Sequence, residues 1–215
     1  MNISGAIFDM DGTLTDSMFI WMELGSRYLV SYGITPRENL LEEIKALTMW
    51  DTIDYIKREY GIHQTNDEIY RRIESLLWPM YRDEVLPKDG VFLLLDRLRE
   101  RGVKMAVASA TDKHIVEMVL EKTGLLGYFS EVFTCSSVGA GKDVPLIYEK
   151  ALDSLGTPKE ETAVFEDALY ALTTAKNAGF PVVGVYDASA EKDRSVIEEL
   201  SDFYITDYKK DYLFF

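Results

Sequence analysis

The segment SGAIFDMDGTLTDSM, residues 4–18, runs from small and apolar residues into two aspartates, Asp9 and Asp11, with a third, Asp16, beyond Gly12 and Thr13. Along an extended backbone, residues i and i+2 point the same way, so Asp9 and Asp11 can address one ligand. An aspartate can attack as a nucleophile and pass through a covalent aspartyl intermediate. Its neighbour can protonate a leaving oxygen and then take a proton from water. That division of work needs one carboxylate ionised and the other able to carry a proton, which different surroundings can impose. Three other stretches place polar groups at or beyond expected strand ends: Ser109 and Thr111 in VASAT, Lys142 in GAGKD in the loop after EVFT, and Glu166 with Asp167 in AVFED. Each alone has an ordinary structural reading. Asp-Gly marks turns, Ser109 can cap the next helix, Lys142 can be a solvated loop lysine, and an acidic pair suits a helix start. Together they form an acid-rich set with one lysine and one hydroxyl. Converging carboxylates repel one another unless a cation neutralises them. With oxygen ligands only, that cation is hard, and magnesium fits. Magnesium is usually completed by a substrate phosphate. Lys142, the Ser109 hydroxyl and backbone N–H groups near Ala110 and after Asp11 then suit phosphate oxygens. The set is expected to serve phosphoryl transfer, where positioning and charge neutralisation do most of the work.

Such a set needs elements that bring distant positions together. AIF (6–8) reads as a buried strand that stops at Asp9. Residues 17–85 then change character, with four amphipathic helical stretches and no convincing strand. In the longest, NDEIYRRIESLLWPMYRDEV, Asn66 or Asp67 is the expected cap and Pro79 an expected kink or break. After Pro87 strands and helices alternate: VKMAVAS, EVFT, TAVFED, PVVGVY and DFYIT read as strands. Alternation of this kind indicates α/β architecture, a three-layer Rossmann-like core around a parallel sheet. The expected division is a core of residues 1–16 and 86–215 with an inserted all-helical domain, 17–85. Ligands of open parallel sheets sit beyond the carboxyl ends of the strands, where all four polar stretches fall. Asp16 is read as structural, near the start of the first inserted helix.

Composition narrows the partners. The chain has 215 residues, 47% of them hydrophobic, enough to bury a core. Lys and Arg number 23 against 37 Asp and Glu, a net charge of −14. Such a surface disfavours nucleic acid and anionic membranes. Cys135 is the only cysteine, so an internal disulfide is excluded, which fits a reducing compartment. His63 and His114 lie far apart and belong to no zinc pattern. The first ten residues lack a basic region followed by a long apolar core, and no apolar run reaches membrane-spanning length, so a cytoplasmic protein is expected. A monomer or weak dimer is the expected state.

FDMDGTLTDS resembles the first motif of the haloacid dehalogenase-like hydrolases, and VASAT their second. GKDVPLIYEKALDSLG resembles the third, and VFEDALYALTTAKNAG the acidic fourth. The order and spacing are similar over nearly the whole chain, and the helical insert resembles their cap. DGTLTDS with the glutamate-aspartate pair resembles the branch holding β-phosphoglucomutase and phosphoglycolate phosphatase. The resemblance implies Asp9 as nucleophile and magnesium ligand. It implies Asp11 as acid/base, lending its backbone carbonyl to the metal. Asp167 and Glu166 become metal ligands, and Ser109, Ala110 and Lys142 phosphate-binding residues. Three departures stand out. Ala168 and Ala171 replace the serine and glycine usual in the fourth motif. Trp21 and Trp50 occupy the places of a histidine and an arginine used by the mutases. Asp112 replaces a lysine after the second motif. Losing cations for a second phosphate counts against a mutase, so a phosphatase acting on a small phosphorylated metabolite is expected. Phosphomutase activity on a sugar phosphate and a non-catalytic phospho-ligand sensor are the alternatives. Trp21 and Trp50 are the candidates for substrate specificity.

Overall fold

A computed structural model describes residues 2–44 and 49–215, the Trp50 side chain excepted. In chain order, β1 (Gly5–Phe8) leads through a tight turn to β2 (Thr15–Asp16). Among the described residues four helices follow: α1 (Met18–Val30), α2 (Leu40–Ile44), α3 (Met49–Tyr60) and α4 (Asn66–Asp83). Next come β3 (Leu86–Pro87), α5 (Val91–Glu100), β4 (Lys104–Ser109), α6 (Lys113–Lys122), β5 (Val132–Thr134), α7 (Cys135–Val138) and α8 (Leu146–Leu155). The chain closes with β6 (Thr162–Glu166), α9 (Leu169–Asn177), β7 (Val182–Val185), α10 (Arg194–Leu200), β8 (Phe203–Ile205) and α11 (Tyr208–Asp211). Two compact units result, Met1–Asp16 with Val85–Phe215 and Ser17–Glu84.

The larger unit is built on a parallel six-stranded sheet in the order β5-β4-β1-β6-β7-β8. From β1 the chain steps one way to β4 and β5, then crosses to the other side for β6, β7 and β8. Right-handed crossovers put helices of opposite stepping direction on opposite faces, which makes three layers. On one face Ile7, Ala106, Val164 and Val182 pack with Ile147, Tyr148, Leu155, Leu172, Phe180 and Ile197 from α8 through α10. On the other, Phe8 stacks on Phe165 with ring centroids 4.2 Å apart, and Phe215 packs on Phe165 at 5.5 Å. Burial on both faces explains why GAIF and TAVFE are wholly buried runs without polar alternation. Gly184 in β7 lets α10 and β8 close in, since a Cβ there would lie 2.8 Å from Tyr204 Cδ2 and 2.9 Å from Ile197 Cγ2.

In the smaller unit, α1 buries Ile20, Leu24, Tyr28 and Leu29, and α4 buries Ile69, Ile73, Leu77, Met80 and Tyr81. Both sets recur at three- and four-residue spacing, one apolar stripe per helix. Two expectations are corrected here. The cap of α4 is Thr65, neither Asn66 nor Asp67. Its hydroxyl accepts from Glu68 N–H at 3.3 Å while the Glu68 carboxylate accepts from Thr65 N–H at 2.8 Å, a reciprocal capping box. Pro79 does not end the helix, which runs on to Asp83. Proline costs a helix the hydrogen bond to the carbonyl four residues back, here that of the exposed Ser75. Leu77, Met80 and Tyr81 are buried on either side of Pro79 and hold α4 together across it. Among the described residues no helix is long and apolar enough to cross a membrane.

Candidate active site

Pairing register sets the site. Phe8 lies opposite Val107 on β4 and opposite Phe165 on β6, so the three strands finish side by side. Asp9 N–H donates to Phe165 O at 3.0 Å, extending the ladder by one residue and bringing Asp9 out beside Glu166. The chain then turns sharply. Gly12 adopts φ +80°, a left-handed conformation suited to glycine. The Met10 carbonyl accepts from Leu14 N–H at 2.9 Å and from Thr15 N–H at 3.0 Å. This turn separates the surroundings of the two aspartates. Asp9 is buried and Asp11 half-buried; Asp11 Oδ2 accepts from the Thr111 hydroxyl at 2.7 Å.

Lys142 is buried in the segment between α7 and α8. Its ammonium donates to Asp9 Oδ1 and, at 2.6 Å, to Glu166 Oε1. The same Glu166 oxygen accepts from the Tyr148 hydroxyl at 3.0 Å. Asp167 Oδ1 accepts from the Thr13 hydroxyl at 3.1 Å, and the Thr13 carbonyl accepts from the Tyr208 hydroxyl at 3.0 Å. Ser109 closes β4, fully buried, with its oxygen accepting from Thr111 N–H at 3.1 Å. The cap of α6 is Asp112, so Ser109 does not serve there. Ala110 follows it and is exposed. Ala168 begins α9 without a side-chain cap.

Asp9, Glu166 and Asp167 each offer an oxygen within 4.8 Å of the others. One lysine cannot neutralise three carboxylates, and the energetics register the excess. Burial, opposed by Lys142 and aided by the Glu166 charge, pushes the Asp9 carboxyl up to about 7. Burial, then the charges of Asp9, Glu166 and Asp187, hold Asp167 well above the usual carboxylate range. Burial opposes the charge on Lys142, but Asp9 and Glu166 outweigh it and lift its pKa above the ordinary lysine value. A buried all-oxygen donor set with surplus negative charge fits a hard divalent cation.

The structure therefore brings Asp9, Lys142, Glu166 and Asp167 into direct proximity, with Asp11 and Ser109 linked through Thr111 at the neighbouring strand end. Trp21 lies on α1 with 38% of its surface exposed. Trp50 lies on α3, and its side chain is outside the described residues. Sequence reasoning missed Tyr148 and Tyr208. A tyrosine at a core position of a helix needs a partner for its hydroxyl, and Tyr148 carries that signal within LIYEKALDSL.

The model of the haloacid dehalogenase-like hydrolase family matches residues 6–185. A phosphonoacetaldehyde hydrolase of Bacillus cereus is 28% identical over 89% of this chain and 78% of its own. A phosphorylated carbohydrates phosphatase of Thermotoga maritima is 26% identical over 82% of each chain. Among solved structures, a putative beta-phosphoglucomutase from Thermotoga maritima superposes with a TM-score of 0.82 at 24% identity, covering 98% of this chain and 97% of that one. At that identity the likeness speaks for the fold.

Proposed function

The chain belongs to the haloacid dehalogenase-like hydrolases, and on that premise we propose that it is a magnesium-dependent cytoplasmic phosphatase. In this reading it hydrolyses a small phosphorylated metabolite through an aspartyl-phosphate on Asp9. One observation carries the reading: a buried carboxylate cluster shares one lysine, while a separate aspartate, Asp11, is held apart by Thr111. The substrate's phosphoryl oxygens are held by the Ser109 hydroxyl, the Ala110 N–H and the Lys142 ammonium. An Asp9 oxygen attacks phosphorus in line, the O–P bond to the substrate breaks, and Asp11 gives its proton to the departing alcohol. Asp11, now ionised, takes a proton from water, the water oxygen bonds to phosphorus, and the Asp9–phosphorus bond breaks to release phosphate. Asp9 must be ionised to attack, so the charge surplus must be neutralised first. Asp9, Glu166, Asp167 and the Asp11 carbonyl are the groups that would hold magnesium, which would supply that neutralisation and stabilise charge on the phosphoryl oxygens. The helical unit, Ser17–Glu84, takes the part of a cap that selects the leaving group, with Trp21 and Trp50 as its specificity residues.

The test is a panel of phosphate monoesters assayed with magnesium, with phosphonoacetaldehyde as a separate arm and Asp9→Asn as control. Turnover of at least one ester that ceases on chelation and in Asp9→Asn supports the proposal. Turnover of phosphonoacetaldehyde alone would replace the ester reading, and no turnover in either arm would favour a ligand sensor.

A further inference from the structure

Tyr148 lies on the inward face of α8 and is 1% exposed. Its ring meets Phe180 edge-on with centroids 6.2 Å apart, which fixes where the hydroxyl sits. That hydroxyl donates to Glu166 Oε1 at 3.0 Å and stands 3.5 Å from the Ala171 carbonyl in α9. Lys142 donates to the same Glu166 oxygen at 2.6 Å. Both donors thus engage Oε1 and leave Oε2 as the oxygen available to a cation. The two holds are not equivalent. Lys142 is shared with Asp9 and would be drawn on by an entering phosphoryl group, whereas Tyr148 belongs to the wall of the core.

We propose that Tyr148 is a positioning residue for the cation site: its hydroxyl fixes the Glu166 carboxylate so that Oε2 is presented to a divalent ion throughout turnover. This rests on the cation reading above. Groups that orient a metal's ligands typically govern affinity by 10–100-fold (order of magnitude).

Tyr148→Phe deletes the hydroxyl and keeps the ring against Phe180. Binding of Mn2+ alone, without substrate, is followed by electron paramagnetic resonance in wild type, Tyr148→Phe, Glu166→Ala, the double variant and Asp167→Asn. The expected result is Mn2+ binding about 10–100-fold weaker in Tyr148→Phe, with no further loss when the change is made in the Glu166→Ala background. Thermal unfolding in chelator should show the Tyr148→Phe fold intact. Mn2+ binding equal to wild type overturns the proposal. So does an equal loss in the Glu166→Ala background, or a Tyr148→Phe chain that no longer folds, since each makes the role structural only. Wild-type binding abolished by Asp167→Asn upholds the cation reading independently. Absence of any wild-type Mn2+ site overturns that reading and this proposal with it.

Discussion

Replacing Asp9 by asparagine should stabilise the metal-free protein while abolishing its chemistry. The folded-state carboxyl sits at about 7 against an ordinary 3.8, because burial and the Glu166 charge outweigh the pull of Lys142. An acid whose pKa rises on folding binds its proton more tightly in the folded state. Its contribution to stability is fully present below the unfolded value of 3.8 and is lost as pH climbs to about 7. At roughly 1.4 kcal/mol per pH unit, that gap makes the ionised Asp9 a burden of about 4 kcal/mol. Urea denaturation in chelator should therefore find the wild type less stable at about pH 8 than at about pH 4, by a few kcal/mol from this group. Asp9→Asn should remove the share that Asp9 contributes and leave the share from the raised Asp167 carboxyl, and saturating magnesium should flatten the profile in the wild type. A wild type whose stability is level or rises over that interval, or an Asp9→Asn profile parallel to wild type, would refute the charge-surplus argument.

Three further outcomes follow from particular contacts. Thr111→Val removes the hydrogen bond to Asp11 and should slow turnover by about 10-fold or more, at the low end of a positioned proton donor's contribution. The loss should be largest for esters with poor leaving groups, measured as a steeper dependence of rate on leaving-group pKa. Ala168→Ser restores a hydroxyl at the uncapped start of α9 and should raise stability by about 0.5–2 kcal/mol, read from the urea midpoint at unchanged slope. Gly184→Ala forces a Cβ against Tyr204 and Ile197 and should cost about 1–3 kcal/mol through overpacking, with activity per folded molecule retained.

The α/β core was legible because its strands are buried on both faces and read as unbroken apolar runs, and because strands alternate with helices. Several polar residues of the candidate site were legible for a related reason: Asp9, Ser109 and Glu166 stand where such a run stops. What single residues do not carry is the register that puts Asp9 beside Glu166, since that depends on β1 pairing with β6 across more than 150 residues of chain. Short elements also escaped. The β2–β3 ribbon has two residues per strand, too few for any periodicity to appear. The segment ending at Phe215 returns to the core through aromatic contacts of Phe215 with Phe165 and Phe203, without a sequence pattern to announce it. Thr65 lost to Asn66 and Asp67 because all three are good caps, although Glu68 stands at the capping-box spacing from Thr65 alone. Local propensity alone would break α4 at Pro79; the helix runs through it, with Leu77, Met80 and Tyr81 buried around it.

The proposed mechanism requires phosphorus to become bonded to Asp9 during turnover. Rapid acid quench of the protein with a phosphorus-labelled ester substrate, followed by proteolysis and mass analysis, tests it directly. The expected result is a labelled peptide containing Asp9, sensitive to hydroxylamine as an acyl phosphate is, and absent from Asp9→Asn. Full turnover with no protein-bound label, or label retained in Asp9→Asn, would contradict it.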